Sequence, residues 1–145
     1  GDYEQVISLL VPAQLRHQQT NNFYFQVYLD TLLLLGKSYL KLQDFEKAEY
    51  YFLTIVDFYP NHFVGSTSLA ALFFKQSRYD DLFDFLIKMM DQNKTVVEFQ
   101  ILYAEYCRDV SGITHDLVLK KKGERVIQGL TDQYFDLTKL LPDGR

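Results

Sequence analysis

Apolar positions recur with a helical period over residues 22–42, where Leu32, Leu35 and Tyr39 return to one face. Gly36 falls inside this run, although glycine in a helix costs about 1 kcal/mol relative to alanine. The polar turn Lys41-Leu42-Gln43-Asp44 ends the run, and Asp44 is suited to cap the next helix. That helix is predicted over 45–58. Pro60 stops it, because the residue before a proline is steered out of the helical region. Further helices are predicted over 61–76, 79–92 and 96–108. Asp109-Val110-Ser111-Gly112 reads as a break, after which Thr114 or His115 starts a last helix. This helix runs toward Leu141, interrupted or bent at Gly123, and Pro142-Asp143-Gly144-Arg145 stops it. At the other end a helix opens near Tyr3. Pro12 is expected to break it after about Leu10, leaving 13–19 as a turn or short helix. Gln18-Gln19-Thr20-Asn21-Asn22 reads as a polar loop. The expected fold class is all-α.

Within these helices one set of residues has a fixed spacing: Leu32-x-x-Leu35-Gly36-x-x-Tyr39, then Ala48-x-x-x-Phe52, then Pro60. With Leu32 where the pattern usually has Trp, this spacing resembles a tetratricopeptide (TPR) repeat. The resemblance implies a superhelical solenoid of antiparallel helix pairs. Small side chains at Gly36 and Ala48 would let two helices nest, with Phe52 filling the space between them. A shift by the TPR period of about 34 residues carries Leu35-Gly36-x-x-Tyr39 onto Leu69-Ala70-x-x-Phe73. It also carries Ala48 onto Leu82 and Phe52 onto Leu86, so the second pair should sit farther apart. Tyr103-Ala104-x-x-Cys107 is a weaker third copy. The opening Asp2-Tyr3-Glu4-Gln5-Val6 echoes Asp44-Phe45-Glu46-Lys47-Ala48, as the second helix of a repeat without its first. The organisation expected is a single array. It comprises an incomplete repeat (1–20), the best repeat (22–60), a degenerate repeat (61–94), and a divergent repeat with a capping helix (95–145). The opening is also loosely similar to the N-terminal region of a TPR subunit of the anaphase-promoting complex.

In TPR proteins the concave face is lined mainly by first helices. The resemblance therefore implies a partner-binding groove of Asp30, Leu33, Lys37, Leu40 and Lys41. Val64, Thr67, Ser68, Ala71, Phe74 and Lys75 would follow, and then Glu98, Ile101, Leu102, Glu105 and Arg108. Chaperone-type TPR domains grip a carboxylate with Lys, Asn and Arg, but here Lys37 stands where they usually carry Asn and Leu33 where they carry Lys. Leu33, Leu40, Val64 and Phe74 better suit a peptide or helix anchored by apolar side chains. The same leucines also suit plain contact with neighbouring helices. The function expected is a non-enzymatic scaffold that docks another subunit and organises a multi-subunit complex. The alternative is a homo-oligomer formed through aromatic faces of the second helices, carried by Tyr50, Tyr51, Phe52, Phe58, Phe83 and Phe85.

Composition narrows the partner class. The net charge is −4, so the chain lacks the electrostatic footprint of a nucleic-acid binder. Its one basic cluster, Lys120-Lys121-Lys122 with Arg125, reads first as a solvated helix face, with contact to a phosphate, an acidic peptide or a nucleic acid as the less favoured alternative. A single cysteine, Cys107, permits no intrachain disulfide and fits a reducing, intracellular setting, cytoplasmic or nuclear. No apolar run approaches the roughly 20 residues that span a bilayer, so no membrane partner is expected. His17, His62 and His115 lie in different units. No HExxH, CxxC, GxSxG or glycine-rich phosphate loop is present, so neither a cofactor nor a metal is expected. Asp80, Asp81 and Asp84 read as an acidic helix start, and the Asn93-Lys94-Thr95 sequon as chance.

Overall fold

The computed structural model describes residues 2–19 and 25–134, and among them it is entirely helical, with no strand. Seven helices follow in order: α1 (Tyr3–Gln19), α2 (Phe25–Lys41), α3 (Phe45–Phe58), α4 (Phe63–Lys75), α5 (Tyr79–Gln92), α6 (Val97–Thr114) and α7 (Leu117–Tyr134). They divide into two compact units, Gly1–Phe85 and Leu86–Arg145, with the boundary inside α5.

In the first unit α2 packs on both α1 and α3, and α4 packs on α3. The α2–α3 pair is antiparallel. Tyr28 meets Phe58 edge-on at 5.7 Å, and Tyr39 stacks on Tyr51 at 5.6 Å toward the connecting turn. Between these two ring pairs lies the crossing predicted at Gly36. A Cβ built on Gly36 would stand 2.5 Å from Cε1 of Phe52, a ring that is wholly buried. Ala48, Ile55, Leu32 and Leu35 complete this core. Two polar side chains inside it bond within their own helix, the Thr31 hydroxyl donating to the Val27 carbonyl and the Ser38 hydroxyl to the Leu34 carbonyl, whereas the buried Tyr28 hydroxyl has no hydrogen-bond partner among the described residues.

The turns explain why the pairs form where they do. Gln43 adopts a left-handed backbone, φ 62°, and Ser77, 34 positions later, adopts φ 56°. The hydrogen bonds around them repeat at the same offset. Leu42, Gln43 and Asp44 donate to Ser38, Leu40 and Tyr39, as Gln76, Ser77 and Arg78 donate to Leu72, Phe74 and Phe73. Within the second turn of each period, Tyr59→Ile55 and His62→Tyr59 recur as Asn93→Met89 and Val96→Asn93. The caps differ in chemistry. Asp44 accepts from the Lys47 N–H at 3.2 Å, while His62 Nδ1 accepts from the Gly65 N–H at 2.9 Å. At the position equivalent to Asp44, Arg78 instead makes a two-pronged pair with Glu49 of α3 and lies 4.6 Å over the Phe73 ring. Replacing the Asp44 cap, Asp44→Ala, should cost about 1 kcal/mol in chemical denaturation.

The close backbone approaches are α1–α2, α2–α3, α3–α4 and α6–α7; α4–α5 is not among them, in keeping with fully buried Leu82 where α3 has Ala48.

Four expectations need correction. Helix α1 runs on through Pro12 to Gln19, since a proline removes one backbone bond, here to the Ser8 carbonyl, without forcing an end. Gln18 and Gln19 therefore belong to α1, and the rest of the expected polar loop lies outside the described residues. Helix α6 does not break at 109–112. It continues to Thr114 because Val110 and Ser111 extend its buried stripe. His115 does not start a helix but closes α6 at φ 60°, and Asp116 caps α7 by accepting from the N–H groups of Val118 and Leu119. Gly123 is no hinge: it is buried inside continuous α7, where an added Cβ would stand 2.7 Å from Cys107 Cβ and 3.2 Å from the Ala104 carbonyl oxygen. It is the close-approach glycine of the second unit. The expected stop at Pro142 lies outside the described residues.

Candidate functional site

The predicted groove residues sit on the faces of α2, α4 and α6 that their own cores leave uncovered. On α2 the buried stripe is Tyr28, Leu29, Leu32, Leu35 and Ser38, and the opposite stripe is Val27, Asp30, Leu34, Lys37 and Lys41, all exposed. Leu33 and Leu40 flank that stripe and are half-buried, so they serve both neighbouring helices and the edge of the face. Leu34, 47 % exposed, belongs to the stripe but not to the predicted set. A signal for it exists, because Ser68, which is in that set, is its counterpart 34 positions on.

On α4, Val64, Ala71 and Lys75 are exposed, and Thr67, Ser68 and Phe74 are half-buried. The hydroxyls of Thr67 and Ser68 both donate to the Val64 carbonyl. Phe74 tilts against Tyr79 at 6.1 Å, and the Lys75 ammonium sits 5.7 Å from the centre of the Phe45 ring. Those contacts fix Phe74 and Lys75 at the end of the face. On α6, Glu98, Ile101, Glu105 and Arg108 are exposed and Leu102 is half-buried. Arg108 pairs with Asp109 at 3.1 Å. The α2 and α4 stripes belong to the first unit and the α6 stripe to the second.

Glu105 and Arg108 also border an open cleft of about 530 Å³ between α6 and α7, opposite Lys120, Glu124 and Gln128. Ala104, Gly123 and Ile127 give it an apolar lining. The aromatic residues of α3 divide by face. Tyr51 and Phe52 are core, whereas Tyr50 and Phe58 are each 57 % exposed. Phe83 and Phe85 of α5 are half-buried, Phe85 against Phe73.

Chemistry-bearing groups are few. Among the described residues no three His, Cys, Asp or Glu side chains gather around a common point. Asn93 of the sequon is buried, its amide donating to the Met89 carbonyl at 3.0 Å. No described helix is long and apolar enough to cross a membrane. Burial pushes the Cys107 thiol up from its ordinary value of 9.0, against the lowering influence of Tyr103 and Lys122. Burial likewise drives the Tyr103 hydroxyl up to about 12, with Cys107 reinforcing it. Both groups hold their protons more tightly folded than unfolded. Each contribution to stability is complete below the group's unfolded value and is lost as pH rises past it, for Tyr103 between 10.0 and about 12. Cys107 should therefore stay unmodified by a thiol reagent at pH 8 and react when denaturant unfolds the chain. Modification of the native protein at the rate of a free thiol would refute its buried placement. No protein-family model, no curated protein and no solved structure matches this chain.

Proposed function

We propose that this chain is a non-enzymatic protein-interaction scaffold built of TPR-like helix pairs, which docks a peptide or helix of a partner subunit on its first-helix faces. The observation that carries the reading is the 34-residue recurrence of the turn geometry, with unburied mixed faces at matching positions of α2 and α4. A repeated pair cannot bury both sides of its first helix, so the outward stripe is left for another molecule. Its composition suits protein rather than phosphate. Leu34 and Val64 offer apolar anchors, while Asp30, Lys37 and Lys41 offer charges of both signs. Stacking of such pairs into a solenoid, and the assembly of a multi-subunit complex along it, belong to this same proposal.

A photo-crosslinking residue placed at Leu34 and, separately, at Val64 should capture the same partner from the cells that make this protein, while one placed at Tyr50 should not. Lys37→Glu combined with Val64→Asp should reduce recovery of that partner at least about tenfold, since one change reverses a charge in the contact and the other sets an unpaired carboxylate at an apolar anchor. Undiminished recovery by the double variant would overturn the reading.

A further inference from the structure

The cleft between α6 and α7 is banded by charge. Gly123 rests on Ala104 and Cys107, which fixes the register of the two antiparallel helices. Glu105 and Glu124 flank that crossing at one level, and Arg108 and Lys120 flank it one turn closer to the connecting turn. Ile127, 44 % exposed, lies one turn the other way. The side chains of Glu105, Glu124 and Lys120 make no ion pair with the described residues. Each band places like charges across the opening, offset in part along each helix by the neighbouring band and by the Arg108–Asp109 pair, and an occupant with opposite charges one turn apart would complement both bands.

Among the described helices, α5 presents that pattern outward. Its exposed stripe reads Asp80, Asp84, Ile87, Lys88 and Asp91. Asp84 and Lys88 are one turn apart, make no ion pair with each other, and have an exposed aliphatic side chain between them, Ile87 at 44 %. The α2 face also carries a carboxylate and a cation around a leucine, but Asp30 and Lys37 are two turns apart and do not match the spacing of the bands. Helix α7 supplies a general attraction as well, with four cations against two carboxylates, set in a chain whose net charge is −4.

We propose that the α6–α7 cleft of one molecule receives the outer face of α5 from a second copy of the same chain, Asp84 meeting Arg108 and Lys120 while Lys88 meets Glu105 and Glu124. The two surfaces differ, so the contact is head-to-tail and leaves one free cleft and one free α5 at every stage of growth. One helix in one cleft is a small interface, so the association is weak, reversible and sensitive to salt. The cleft shares Glu105 and Arg108 with the expected groove on α6, but the test below alters no residue of the α2 and α4 faces on which the scaffold proposal is tested.

Sedimentation of the whole chain over a wide concentration range at low salt tests it. The weight-average mass should rise with concentration and fall back on adding salt. Lys88→Glu, and separately the pair Glu105→Lys with Glu124→Lys, should each raise the dissociation constant at least about tenfold by setting like charges against one another. Mixing the two variant proteins should restore association. The carboxylate introduced at position 88 of one protein then faces the ammonium groups introduced at positions 105 and 124 of the other, and the unaltered Lys88 faces the unaltered carboxylates. All these positions are exposed, and circular dichroism of each variant checks that the fold is kept. A monomer at every concentration, or association indifferent to these variants, would overturn the proposal. So would failure of the mixture to associate, or loss of association on Tyr50→Ser alone, which would place the contact on the aromatic face of α3.

Discussion

Gly36→Leu should lower stability by about 3 kcal/mol, which for a chain of this size is a fall of roughly 10 °C in melting temperature. Two effects oppose each other at this position. Any side chain gains helix propensity over glycine, a benefit of about 1 kcal/mol at most. Against it, the first added carbon already stands 2.5 Å from one Phe52 ring carbon and 2.8 Å from the next. Phe52 is fully buried between α2 and α3, so the ring has no open space to swing into. Overpacking wins, and the helices must separate. Gly36→Ala should show the same sign at about 1 kcal/mol. Pairing Gly36→Ala with Phe52→Leu, which removes part of the ring volume, should recover stability relative to the sum of the single changes. Thermal unfolding of the four proteins measures the coupling. Strict additivity would mean that the two residues do not touch.

The second large effect is expected in the other unit. Gly123→Leu places a side chain against the Cys107 Cβ at 2.7 Å and against the Ala104 carbonyl oxygen at 3.2 Å. Backbone yields less readily than a flexible side chain. Helix α7 has little else to hold it, since only Gly123 and Leu130 of its residues are buried. The expected result is loss of α7 from α6, at a cost of about 3 kcal/mol to that unit. Cys107, now without its cover, should become reactive to a thiol reagent under native conditions. Hydrogen exchange should accelerate in α6 and α7 while α2 and α3 keep their protection. Uniform loss of protection along the whole chain, or a thiol that stays inert, would contradict this account of Gly123.

The two glycines show what could and could not be read from the sequence. Gly36 lies inside a pattern with a known spacing, so its role as a contact site is legible beside Tyr39, Ala48 and Phe52. Gly123 stands alone after three lysines, and its local surroundings suggest a bend. Only its placement opposite Ala104 and Cys107, some sixteen or more positions earlier, makes it a packing residue. The same reasoning covers Pro12 and the stretch 109–112. Local propensity argues for an end at both places, yet the helix continues at each, and along 109–112 the buried Val110 and Ser111 reward its continuation. By contrast, α3 and α5 match their predicted bounds, because each is set by a turn whose hydrogen bonds are local. Leu34 is hidden in the sequence because four successive leucines, Leu32 to Leu35, do not themselves reveal which of them faces outward. The repeat offset does, through Ser68. Nothing in the sequence points to the banded cleft, since Glu105, Arg108, Lys120 and Glu124 come together only when α7 folds back on α6.

The nesting of α2 and α3 at Gly36 decides which faces of both helices stay outside. Isotope-edited NMR of the folded chain addresses it directly. The α protons of Gly36 should show strong nuclear Overhauser effects to the Phe52 ring protons and ring-current-shifted resonances. Absence of any such effect, in a chain whose other helical contacts are visible, would contradict the nesting and the outward faces derived from it.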